Sequence, residues 1–281
     1  MHSQIVMAQV GSSNKKAENL LKAEKAFKDS KNLYGAEMVV FPEAFMSYFE
    51  VGTPSEVKLE DGEAIDGPFV SSMRKLAKSY GVWTIFGMRE RIDDDEEEKG
   101  KRSYNSTVVI NSEGSVVGVY RKTHLYDAFG AKESDRIKPG DTLFEPIDTP
   151  FGKIGLFVCY ELRFPEIARH QALHGADILI VPSGWVKGPL KENHWRSLVT
   201  ARAIENTVYV VACDHVNDYY MGQSMFVDPM GVVLAQGTEE ECLIPCRIDL
   251  NRVQEVRKRL PSHLHRQSHL YEERALVKNS L

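Results

Sequence analysis

Strand-like apolar runs alternate with helix-compatible stretches along most of this chain, and the alternation is written twice. In the first half, runs at 4–10, 37–41 and 82–89 are separated by stretches at 14–33 and 67–80, which gives βαβαβ order. Runs at 103–110 and 115–121 flank Asn111-Ser112-Glu113-Gly114 and predict a hairpin. A long irregular stretch, 123–150, follows; loops of that length inside compact domains tend to be functional. The second half repeats the order with strand 153–158, helix 164–174, strand 177–181, helix 190–205 and strand 208–213. A hairpin, 223–228 and 232–235 around Asp228-Pro229-Met230-Gly231, and a last strand at 243–248 complete it.

No Pro/Gly/Ser-rich linker separates the halves, so the expectation is a single domain over 1–281. Its class is α/β, a four-layer α-β-β-α sandwich with two mixed sheets packed face to face. Residues from about 260 to 281 have no periodicity and are expected either to pack on a neighbouring subunit or to fray.

With 42% hydrophobic and 27% charged residues and no apolar stretch near the roughly 20 residues that cross a bilayer, no membrane span is expected. A net charge of -5 gives no electrostatic reason to expect nucleic acid. The opening Met1-His2-Ser3-Gln4-Ile5-Val6 lacks the pattern of a secretory signal, so cytoplasmic is the default location. Cys159, Cys213, Cys242 and Cys246 show no disulfide-like spacing and are expected as reduced thiols. Metal is not expected. Cys242 and Cys246 lack a second pair, and His263, His265 and His269 lack a carboxylate or cysteine at ligand spacing. The run Asp93-Asp94-Asp95-Glu96-Glu97-Glu98 reads as a solvated loop.

Three apolar runs each deliver an ionisable residue: Met38 to Glu43, Val116 to Lys122, and Ile154 to Cys159. The third continues as Tyr160-Glu161-Leu162-Arg163-Phe164-Pro165-Glu166, which reads as strand, sharp turn and helix start, and puts a thiol at a strand's C-terminal lip. Taken singly, Cys159 is a small apolar core group, Glu43 a helix cap and Lys122 a solvated strand end. Together they can do acyl transfer. Glu43 would take the thiol proton as Cys159 attacks a carbonyl, return it to the leaving amine and then activate water. Lys122 and the backbone N–H of Tyr160 would hold the oxyanion.

In order along the chain stand Val40-Phe41-Pro42-Glu43, Tyr120-Arg121-Lys122-Thr123-His124-Leu125, Gly155 through Cys159 to Glu166, and Ala201-Arg202-Ala203-Ile204-Glu205-Asn206. On these four motifs the chain resembles the nitrilase, or carbon-nitrogen hydrolase, superfamily over nearly its whole length. The resemblance implies Glu43 as general base, Lys122 as oxyanion stabiliser and Cys159 as nucleophile. Glu133 is implied as a second glutamate that orients substrate and holds Lys122. It also implies the α-β-β-α fold, no cofactor, no metal and a homodimer. The stretch Cys159 to Phe164 is more similar to amidases acting on ω-amides of 2-oxo acids, or on deaminated glutathione, than to the nitrile-cleaving or decarbamoylating branches. Such substrates carry a carboxylate. Arg163 either pairs with it through a planar guanidinium or pairs with a neighbouring acid at the helix start. Trp185 is expected to wall the pocket.

The expected activity is therefore cysteine-dependent hydrolysis of a small carboxylate-bearing amide through a thioester, with release of ammonia. Its competitors are a nitrile or N-carbamoyl amine hydrolase of the same fold, a non-catalytic binding protein with a redox-sensitive cysteine, and a Cys-His protease using His124 or His215. On continuing strand geometry His124 points away from Thr123. If Lys122 depresses the Cys159 pKa, Cys159 should be alkylated before the other three cysteines. His194, Trp195, Arg202 and Glu205 read as scaffold, with an Arg202–Glu205 pair at spacing three.

Overall fold

The computed structural model describes residues 2–270 except Val51. In chain order its first elements are β1 (His2–Gln9), α1 (Lys16–Tyr34), β2 (Met38–Val40), α2 (Ser55–Glu60), α3 (Pro68–Tyr80), β3 (Trp83–Arg91), β4 (Ser103–Ile110) and β5 (Val116–Arg121). There follow β6 (Ile147–Thr149), β7 (Gly152–Leu156), α4 (Pro165–Leu173), β8 (Ile178–Ser183) and α5 (Lys191–Asn206). The chain continues through β9 (Tyr209–Asp214), β10 (Met225–Val227), β11 (Val233–Gln236), β12 (Cys242–Asp249) and α6 (Leu250–Arg259).

These strands make two six-stranded mixed sheets, ordered β12-β1-β2-β3-β4-β5 and β11-β10-β9-β8-β7-β6. At the centre of each, three strands run parallel, β1-β2-β3 and β7-β8-β9. The strand period of two sorts the core. On β1, Ile5 and Met7 join Ile154, Leu156, Ile178, Ile180 and Val211 between the sheets. Val6 and Ala8 point the other way and pack with Phe27 of α1 and Met73 of α3. The Cys213 thiol of β9 lies 3.3 Å from the Val40 carbonyl of β2, so the two sheets abut there. Ile167 and Ala168 of α4, with Trp195, Val199 and Ala203 of α5, cover the second sheet. This is the α-β-β-α sandwich.

Local chemistry sets the helix limits. Helix α3 begins with Pro68 and stops at Gly81 with φ 60°, while α1 stops at Gly35 with φ 64°, the left-handed end that a missing Cβ permits. Among the described residues no helix is long and apolar enough to cross a membrane.

Several elements differ from the sequence reading. Strand β12 belongs to the first-half sheet, pairing antiparallel along all of β1 from His2–Asp249 to Gln9–Cys242. Helix α6 had no expectation; the Asp249 side chain caps it by accepting from the Asn251 N–H at 3.0 Å. The stretch 123–150 contains β6 and a 3₁₀ turn at Glu133–Asp135. The acidic run is an exposed turn, but three of its six charges are matched: Asp93 pairs with Arg91 at 2.7 Å, Glu98 with Arg102 at 2.6 Å, and Asp95 with Lys138. All four cysteines are free, and Arg202 pairs with Glu205 at 3.0 Å. Half of the expected tail, residues 271–281, lies outside the described residues.

Gly87 of β3 shows how tightly the scaffold holds the turn after β2. A Cβ there would stand 2.2 Å from the Ala44 nitrogen and 2.8 Å from the Glu43 carbonyl carbon. Gly87→Ala should therefore displace Glu43 and cost about 1–3 kcal/mol in urea unfolding. An unchanged unfolding midpoint would show that the turn yields freely.

Candidate active site

Glu43 follows β2 on a turn anchored by Phe41 N–H to the Ile85 carbonyl (2.8 Å) and Gly87 N–H to the Pro42 carbonyl (3.2 Å). Lys122 follows β5 and is held by its own N–H on the Asn105 carbonyl (2.9 Å) and its carbonyl under the Gly140 N–H (2.9 Å). Glu133 comes from the 3₁₀ turn. The Lys122 ammonium, 2% exposed, donates to Glu43 Oε1 and to Glu133 Oε2, both at 2.9 Å. Asn105 of β4 bridges the two acids, its amide donating to Glu43 Oε1 at 2.7 Å and Glu133 Oε1 at 3.0 Å. The other Glu43 oxygen accepts the Gly184 N–H at 2.9 Å.

Burial would raise the Glu43 pKa, but the charge and hydrogen bond of Lys122, the Asn105 amide and the Cys159 thiol outweigh it, and Glu43 rests below its ordinary 4.5. Burial would likewise lower Lys122, yet Glu133 and Glu43 hold it well above 10.5. The cluster is a carboxylate, an ammonium and a carboxylate with a thiol beside them.

Cys159 begins a 3₁₀ turn over Cys159–Arg163 directly beyond β7. Its φ of 49° is left-handed, which costs a residue with a Cβ about 1–2 kcal/mol. Ala44, Phe129 and Leu190 share that strain, at φ 50°, 54° and 62°. All four stand in or next to the site, where held strain is characteristic of functional geometry. Burial first, and then the Glu43 charge, push the Cys159 pKa well above 9.0 against the opposing pull of Lys122. Burial and the Glu43 charge thus act against the condition on which early alkylation of Cys159 depends, a thiol depressed by Lys122.

A small cavity opens on Cys159 and is lined by Tyr126, Tyr160, Arg163, Gly184, Trp185, Val186 and Lys191. Tyr160, Arg163 and Trp185, expected at the substrate, all line this cavity. No acid at the helix start takes Arg163. Its guanidinium reaches His194 Nδ1 at 3.3 Å and lies 5.1 Å from the Trp185 ring centre. Trp185 is fixed by its N–H on Asp214 Oδ1 at 2.6 Å and its indole on the Lys191 carbonyl at 3.0 Å. Burial pushes the Asp214 carboxyl well above its ordinary range.

Neither histidine of the protease reading meets the thiol. The His215 ring nitrogens reach the carbonyls of Glu43 (2.5 Å) and Val10 (3.1 Å), and burial lowers its pKa to about 4. The ring braces the Glu43 turn, and in its neutral form its single N–H donates to only one of the two carbonyls. Strand β5 ends at Arg121, so His124 does not alternate with Thr123: its Nδ1 meets Thr123 Oγ1 at 2.8 Å and both face Glu161.

Glu161 is a residue the sequence reading left without a role. Its fully buried carboxylate accepts from Thr123 N–H (3.0 Å), Thr123 O–H (2.7 Å), His124 N–H (3.1 Å), Tyr120 O–H (2.7 Å) and Val158 N–H (2.8 Å). One side chain thus ties the segment after Lys122 to the turn that carries Cys159. An acid two residues past the nucleophile, between Tyr160 and Leu162, was its only trace. Asn105 was legible only as one of several polar residues at the start of a strand-like run, and Lys191 and Tyr126 had no signal. Among the described residues, ligand-type side chains gather at Glu145, His170 and His174, within 4.8 Å of one another, rather than at the expected-to-be-inert His263, His265 and His269.

A two-sheet sandwich with a buried Glu-Lys-Glu cluster against a strained cysteine defines a hydrolase of carbon-nitrogen bonds. The chain belongs to the carbon-nitrogen hydrolase family, whose profile matches residues 4–258. It is an amidase by that family and its relatives. It is 39% identical over 280 residues to the deaminated glutathione amidase of Mus musculus, covering 95% of this chain and 84% of that one. The structure superposes on the NitFhit protein of C. elegans with TM-score 0.86 at 31% identity, over 96% of this chain and 66% of that longer one. It also superposes on Saccharomyces cerevisiae Nit3, of branch 10 of the nitrilase superfamily, with TM-score 0.82 at 28% identity, over 95% and 96% of the two chains.

Proposed function

We propose that this amidase hydrolyses a small carboxylate-bearing amide through a thioester on Cys159. The observation that carries the reading is the Lys122 ammonium seated between Glu43 and Glu133, with the Cys159 thiol near enough that it and the Glu43 carboxylate shift each other's proton affinity. The Cys159 sulfur attacks the amide carbon as its proton passes to Glu43, so no free thiolate accumulates. The oxyanion is held by Lys122, two of whose three N–H donors serve the carboxylates, and by the Tyr160 N–H in the first turn beyond Cys159. The C–N bond breaks, Glu43 protonates the nitrogen, and ammonia or an amine leaves. Water then gives its proton to Glu43 while its oxygen attacks the thioester, and the sulfur departs and recovers the proton. Asn105 and Glu133 keep Lys122 and Glu43 aligned throughout.

The relatives named deaminated glutathione amidase support an amide over a nitrile. The test is release of ammonia or amine from a panel containing 2-oxoglutaramate, deaminated glutathione, N-carbamoyl amines and nitriles. Carbon dioxide released with the ammonia would move the reading to a carbamoyl substrate. Because Glu43 is a carboxylate below 4.5 and Cys159 a thiol to well above 9.0, kcat/KM should stay flat from about pH 6 to 8. A rise following thiol ionisation across that span would refute proton transfer to Glu43.

A further inference from the structure

The cavity beside Cys159 holds two cations and no acid among its lining side chains. Lys191, the first residue of α5, is 7% exposed; its ammonium lies 3.2 Å from the Tyr126 hydroxyl and 3.6 Å from the Phe129 ring centre. Arg163 shares the same aromatic walls, 5.6 Å from Phe129, and its buried Nε has no hydrogen-bond partner. Among the described residues neither cation meets a carboxylate. Lys122 and Arg202, buried as Lys191 is, each do, while Arg163 is half-buried. Aromatic faces offset only part of the lost hydration of a buried ammonium, and two neighbouring like charges oppose one another. Burial and then the Arg163 charge lower the Lys191 pKa accordingly. Such a pair is completed by an anion arriving from outside.

We propose that Lys191 and Arg163 together seat the carboxylate of the acyl group, and that Lys191 makes the site select acyl groups bearing a negative charge and no α-ammonium. The guanidinium fork takes the two carboxylate oxygens and the ammonium takes one of them from the side. An α-amino acid amide such as glutamine would bring its own ammonium against two cations with no acid to receive it, and like-charge contact gives rejection. The strained backbones of Leu190 and Phe129, which flank and cover Lys191, hold the seat in place before substrate arrives. This inference rests on the amidase reading above and names its substrate class.

The experiment compares wild type, Lys191→Met, Lys191→Gln and Lys191→Arg on three amides of matched length: an anionic monoamide of a dicarboxylic acid, zwitterionic glutamine and neutral pentanamide. Loss of one charge-assisted contact corresponds to a fall of about 10- to 100-fold in the preference for anionic over neutral amide, carried by KM, in both uncharged variants. Lys191→Arg should restore much of it. An unchanged preference, equal losses on charged and neutral amides, or failure of both uncharged variants to fold would overturn the proposal and assign Lys191 to the scaffold. Glutarate binding, followed by thermal shift, separates the two readings. Glutarate should stabilise wild type and not Lys191→Met; that result without turnover of any amide would keep the cation seat and remove the amidase substrate reading. Glutarate protecting both proteins equally would remove the seat.

Discussion

Cys159→Ala leaves a folded protein that releases no ammonia, with kcat lowered by at least about 10⁴-fold, the scale seen when a covalent nucleophile is removed. Three features require so large an effect. Cys159 lines the cavity, whereas Cys213 and Cys246 are buried in the sandwich and Cys242 lies on β12. Its thiol is near enough to Glu43, the proposed proton acceptor, for each to shift the other's proton affinity. Its backbone is held at φ 49° at the start of the 3₁₀ turn that follows β7. Alanine keeps that backbone and removes one sulfur, so unfolding should shift by no more than about 1–2 kcal/mol. Ammonia release and a thermal melt on the same sample check both halves. Undiminished turnover would remove the thioester, and with it the roles given to Glu43 and Lys122.

Lys122→Met should be the most destabilising single change at the site, costing about 3–5 kcal/mol near neutral pH, as expected when one partner of a buried charge cluster is lost. The side chain lost is 2% exposed and serves two carboxylates that also share the Asn105 amide. Without it Glu43 and Glu133 face each other across an uncompensated gap, and kcat falls as well because the oxyanion loses its cation. The pH dependence has a definite sign. In the wild type the Glu43 pKa is depressed, so its contribution is present above 4.5 and fades as pH falls through the lower folded value. The Lys122 pKa is raised, so its contribution is complete below 10.5 and is lost only as pH climbs through the higher folded value. The wild-type cluster is therefore at full strength between those limits. In Lys122→Met burial acts on Glu43 unopposed by the ammonium and favours its protonated form, so the deficit against wild type should shrink as pH is lowered from 7 toward 5. Urea unfolding at the two pH values measures it, and a deficit that widens on acidification would contradict the charge argument.

Much of this was legible in the chain because it is local. Apolar runs of strand length, Pro68 opening α3, and Gly35 and Gly81 closing two helices are decided by neighbours within a few residues. The ends of the three delivering strands, at Glu43, Lys122 and Cys159, follow from the same patterning, and four ordered motifs linked them to one chemistry. Glu133 came from resemblance alone, since nothing local distinguishes it from Asp135 in the same turn.

Other assignments required the folded chain. A thiol next to a lysine reads in sequence as a thiol made acidic; the sandwich reverses this, because burial and the Glu43 charge act on the sulfur while the ammonium is already engaged. Strand β12 lies over 230 residues from the strand it completes, Glu161 reaches back across 38 residues to Thr123, and Lys191 meets Tyr126 across 65. Hydropathy, periodicity and turn chemistry act over a few bonds, so the order of strands and helices and the choice of Glu43, Lys122 and Cys159 as the proposed reacting groups came from the sequence alone. Charge balance, proton affinity and the lining of the cavity depend on which distant groups are excluded from water together. Only the closed tertiary structure decides that.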